Sequence, residues 1–89
     1  MTVVYKYQLN ASQATRLELP VGATPLRVDI QSGSYCLWAM VDPDAETETR
    51  TFETFGTGHP MPDFERRFIN TFLVNGGSYV FHAFERIEQ

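Results

Sequence analysis

Polar and apolar residues alternate one by one through most of this chain, and a period of two favours strands over amphipathic helices. Leu26, Val28 and Ile30 stand against Arg27, Asp29 and Gln31, which puts three apolar side chains on one face of a strand and three polar ones on the other. Val3, Tyr5, Tyr7 and Leu9 oppose Lys6 and Gln8, and Leu17 and Leu19 oppose Arg16 and Glu18. The short polar stretch Asn10-Ala11-Ser12-Gln13 joins these two segments, so their spacing predicts an opening hairpin. Pro20 and Gly22 end it, since proline has no N–H for the ladder and glycine admits positive φ.

Ser32-Gly33-Ser34 closes the Leu26 strand as a turn and leads into Tyr35-Cys36-Leu37-Trp38-Ala39-Met40-Val41. That run is apolar at both parities, which predicts a central strand with both faces covered and the core centred on it. Asp42-Pro43-Asp44-Ala45 supplies turn chemistry. The Thr-rich segment 47–55 favours a strand at an edge or on a solvated face, with a bulge suggested by the unlike parity of Phe52 and Phe55. Residues 56–63 hold two glycines and two prolines and are expected to be irregular, with one helical turn capped by Asp63. Strands are predicted over 68–74 and 78–85, joined at Asn75-Gly76-Gly77. The sum is an all-β domain over 1–89, a small antiparallel β-sandwich or barrel of about seven short strands with one long irregular loop.

A chain of 89 residues builds one modest core, and burying a sheet edge in a homo-oligomer would supplement it. The single Cys36 leaves no intramolecular disulfide, and no charged and apolar leader or membrane-length apolar run is seen, so the expected setting is cytoplasmic with no membrane partner. Eleven acidic against seven basic residues weigh against duplex nucleic acid, whose binding depends on clustered cations.

The segment that best suits chemistry is Gly56-Thr57-Gly58-His59-Pro60. Two glycines around a threonine let backbone N–H groups converge on an anion, with the Thr57 hydroxyl and the His59 imidazole as further donors. Arg50, Arg66 and Arg67 flank this loop in sequence and would complete an anionic site if they flank it in space. Trp38 offers a ring for stacking or an interface. Turn chemistry for the glycines, and ion pairs with Glu48, Glu53 or Glu65 for the arginines, are the plainer readings. His82, between Val80 and Phe84, reads as a half-buried histidine bonded to backbone. Two histidines and one cysteine without ligand spacing predict no metal site, and no motif predicts a cofactor or a nucleophile. The acidic residues Asp42, Asp44, Glu46 and Glu48 read as a solvated turn.

The blocks Tyr5-Lys6-Tyr7, Leu19-Pro20 with Gly22, Leu37-Trp38-Ala39-Met40-Val41-Asp42-Pro43, Gly56-Thr57-Gly58-His59-Pro60 and Val80-Phe81-His82-Ala83-Phe84-Glu85 resemble a family of short, functionally unassigned proteins of tailed bacteriophages and prophages. The resemblance spans nearly the whole chain. It implies phage origin and the host bacterial cytoplasm, and assigns no catalytic residue. The expected function is a non-enzymatic phage accessory protein that binds a small anionic, nucleotide-like ligand, such as a bacterial defence signal. The alternative is an interaction module that caps or inhibits a host or virion protein.

Overall fold

A computed structural model describes residues 1–10 and 14–87. It contains seven strands and no helix among those residues: β1 (Val3–Gln8), β2 (Ala14–Pro20), β3 (Thr24–Gln31), β4 (Ser34–Val41), β5 (Thr47–Gly56), β6 (Arg66–Val74) and β7 (Tyr79–Arg86). They form two antiparallel sheets, one ordered β1-β4-β3 and the other β2-β5-β7-β6. The architecture is a sandwich, not a closed barrel.

The alternation explains how the sheets face each other. Val28 and Leu37 from the three-stranded sheet and Leu19, Phe52 and Phe72 from the four-stranded one are buried in a single core. Tyr35 packs edge-on against both Phe72 and Phe81, with ring centroids 5.8 and 6.0 Å apart. Such arrangements suit the ring quadrupoles and add to the burial of apolar area.

At one side the sandwich is stitched by a side chain. A bulge between Phe68 and Asn70 turns Asn70 toward the edge of β3. Its carboxamide accepts from the Val28 N–H at 2.7 Å and donates to the Val28 carbonyl at 2.8 Å. Asn70 thereby replaces a neighbouring strand and satisfies backbone groups that burial would otherwise leave costly.

Several local expectations are corrected. The opening hairpin does not form, because β1 pairs with β4 and β2 with β5; both strands serve the same core from opposite sheets, and the link between them changes sheet. Of the polar stretch 10–13 assigned to that link, residues 11–13 lie outside the described residues. The Thr-rich β5 is an inner strand with no register shift. Phe52 and Phe55 differ in parity because each is buried on a different face. Bulges occur instead in β3 and β6, and the one at Pro25/Arg27 leaves Leu26 exposed. β4 is central in its sheet, but only its Leu37-Ala39-Val41 face enters the core; Trp38 is half-buried and Met40 exposed on the other. No helical turn forms at Asp63.

The outer face of the four-stranded sheet carries a second, polar cluster. Glu53, 2% exposed, accepts from Arg66 Nε and Arg86 Nη2, each at 2.8 Å. Arg66 lies over the Phe55 ring and Arg86 over that of Phe64, at 5.1 and 4.2 Å from the centroids. These contacts fasten the irregular segment 57–65 to the sheet.

Candidate functional site

At the end of the sandwich where β5 stops, the loop after Gly56 meets the β6–β7 turn and the start of β4. A cleft of about 610 Å³ opens between them, within the size range of small-molecule sites, about 300–1,000 Å³. Phe81 and Val74 form its apolar floor, and Tyr35, Tyr79 and His59 stand around it. Asn75 and Ser78 come from the turn, which Asn75 enters at φ 57°.

The loop is shaped by Gly56 and Gly58. A Cβ on Gly56 would lie 2.8 Å from His59 Nδ1, so only glycine lets the imidazole rest on the backbone at this point. The His59 ring also meets Phe81 edge-on, at 6.4 Å between centroids. Gly58 has φ +85°, a region that L side chains rarely adopt.

Internal bonds take up two of the loop amides: Thr57 N–H donates to the Val80 carbonyl and His59 N–H to the Gly56 carbonyl, both at 3.0 Å. Those two amides are therefore not free to converge on an anion in the way expected from the sequence. The Thr57 hydroxyl is engaged as well. It donates to the Val80 carbonyl at 3.2 Å and lies 2.9 Å from His82 Nε2, while His82 Nδ1 lies 3.0 Å from the Thr71 hydroxyl. A hydroxyl has one proton to give, so Thr57, which donates to Val80, accepts from Nε2–H, and Thr71 bonds the other ring nitrogen. His82 is thus half-buried as expected, but its partners are two hydroxyls, and it steadies the root of the loop.

The three arginines do not surround the loop. Arg50 sits six residues before Gly56 on β5, about 20 Å away along a strand. There it makes a bidentate pair with Glu85, at 2.6 and 2.8 Å, and a 2.6 Å bond to the Ala23 carbonyl. The hydrogen bonds that Arg50 donates to Glu85 raise its pKa above the ordinary arginine value, which fixes the positive charge. Arg66 belongs to the Glu53 cluster on the outer face. Arg67 pairs in register with Glu85, four steps along β7 from the Gly56–Phe81 pair. It is exposed, and its side chain has no ion-pair or hydrogen-bond partner among the described residues. Trp38 lies on the outer face of the other sheet, in register with Lys6 and Arg27. Of the residues singled out from the sequence, Gly56, Thr57 and His59 line the cleft and Gly58 shapes the loop beside it.

A family model for a domain of unknown function (DUF7352) matches residues 1–89. The chain belongs to the DUF7352 family. Neither a curated relative nor a solved structure matches it. DUF7352 membership brings no activity with it, so the site rests on its own geometry. In this DUF7352 chain the sequence reading missed Tyr35, Val74, Asn75, Ser78, Tyr79 and Phe81. The shared parity of Tyr79 and Phe81 next to a Gly-Gly turn was a usable signal. The register that sets Gly56 beside Phe81 was not, because β5 and β7 meet across a long sequence separation.

Proposed function

We propose that this domain is a non-enzymatic binding protein whose small, nucleotide-like ligand places a planar ring in the cleft at the mouth of the sandwich. The observation that carries this reading is the cleft itself: an aromatic and apolar floor, rimmed by a few polar side chains next to a loop held in shape by Gly56, Gly58 and His82. Rings stack on such floors, and the polar rim fixes their orientation. The family resemblance supports a phage accessory role in the host cytoplasm, with a defence signal as one candidate ligand. Thermal-shift screening against nucleobases, nucleosides and nucleotides tests the reading, since a ligand of the folded state raises the melting temperature by mass action. His59→Ala and Tyr79→Ala should shrink that shift. A panel without a hit, or a hit indifferent to both substitutions, refutes it.

A second reading has its own observation. Phe64 and Phe68 are 51% and 57% exposed; the Arg66 and Arg86 guanidinium groups lie over the Phe64 ring, and Arg67 precedes Phe68 on β6. An exposed aromatic strip with arginines at its margin suits capping of a host or virion protein. Homo-oligomerisation is also part of the proposal, and light scattering that returns the 10.2 kDa monomer mass removes it.

A further inference from the structure

We infer that the cleft selects an uncharged heteroaromatic ligand, a nucleoside or free nucleobase, over its phosphorylated form; this rests on the cleft being the binding site. Tyr35, His59, Asn75, Ser78 and Tyr79 line the cleft, and their side-chain polar atoms make no hydrogen bond among the described residues. They offer three hydroxyls, an imidazole and a carboxamide to a cleft that Phe81 also lines. No Lys, Arg, Asp or Glu lines the cleft among the described residues.

The three arginines that would receive a phosphate are elsewhere. Arg50 and Arg66 are committed to Glu85 and Glu53, and Arg67 faces Glu85, about 13 Å along β7 from Phe81 at strand spacing. Two of the loop amides that would hold an anion, those of Thr57 and His59, are spent on the Val80 and Gly56 carbonyls. A phosphate placed here would meet hydroxyl, carboxamide and imidazole groups but no Lys or Arg to offset the hydration it loses, which is unfavourable for a charge.

The chemistry also favours a base over a sugar. No carboxylate is present to take paired hydroxyls. The Asn75 carboxamide presents a donor and an acceptor side by side, the pair that a base edge with adjacent acceptor and donor matches.

Calorimetric or NMR titration with adenosine, guanosine, cytidine and uridine, their 5′-monophosphates and methyl glucoside tests this. At least one nucleoside should bind, its monophosphate no tighter. Raising NaCl from about 50 to about 500 mM should change the nucleoside affinity less than twofold, because no exposed charge pair is there to screen. Asn75→Gly keeps the positive φ and removes the carboxamide; it should weaken binding by about tenfold with an unchanged melting temperature. A monophosphate that binds tenfold tighter, or an affinity that falls steeply with salt, overturns the selectivity while leaving the cleft as the site. Binding of the glucoside alone overturns the ligand class. No binding by any of these compounds overturns both the selectivity and the cleft reading.

Discussion

Gly56 lies directly beneath the His59 imidazole, so close that a single added carbon would stand 2.8 Å from Nδ1. The backbone of Gly56 is not in the left-handed region, and alanine is compatible with its strand conformation. Gly56→Ala should therefore act first through His59, whose ring atoms are the nearest to the added carbon. Expected results are altered His59 ring resonances, weaker ligand binding at the cleft and a stability loss of about 1–3 kcal/mol, the usual range for overpacking. The double variant Gly56→Ala/His59→Ala should recover most of that stability in denaturant titration.

The second prediction concerns Glu53, which holds two arginines at 2% exposure. Glu53→Ala leaves Arg66 buried without its counter-charge, and loss of one partner of a buried pair costs about 3–5 kcal/mol. Because the same cluster fastens residues 57–65, proteolysis in that segment should accelerate. Urea unfolding and limited proteolysis measure the two effects.

Core substitutions should separate Trp38 from the phenylalanines. Phe52→Ala and Phe72→Ala remove fully buried rings and should each cost about 3–5 kcal/mol. Trp38 is half-buried outside the core cluster, and Trp38→Ala should cost less than half as much, read from shifts in the denaturation midpoint.

These rankings mark where the sequence was legible. Strand existence followed from parity because one-face burial writes itself into alternating residues. The β3–β4 and β6–β7 turns were readable from Ser32-Gly33 and Asn75-Gly76-Gly77, where the positive φ of Gly33, Asn75, Gly76 and Gly77 suits glycine and asparagine. Parity cannot say which face of β4 meets the core when both are apolar, so Trp38 and Leu37 looked alike. It also cannot say which strands pair. The link from Leu9 to Thr15 is short enough for a hairpin and equally serves a change of sheet. For the site, loop composition pointed to Gly56-Thr57-Gly58-His59, while the placement of the arginines depended on register. Arg50 and Arg67 are near that loop in the chain and at the other end of the sheet in space.

Asn70→Ala should open the stitched edge. It deletes both bonds to Val28 and leaves that N–H and carbonyl unpaired, a loss of about 2–4 kcal/mol for two part-buried groups. Amide exchange at Val28 should accelerate more than at Leu37 on the next strand, which hydrogen-exchange NMR resolves.

The location of binding is the central claim, and chemical-shift mapping tests it most directly. Uniformly labelled protein is titrated with the nucleoside that gives the largest thermal shift. The largest changes should fall on Tyr35, His59, Asn75, Ser78, Tyr79 and Phe81, with Arg50, Arg67 and Glu85 at the other end of the sheet unmoved. Changes centred on Arg67, or on Phe64 and Phe68, with the cleft residues silent, would contradict it.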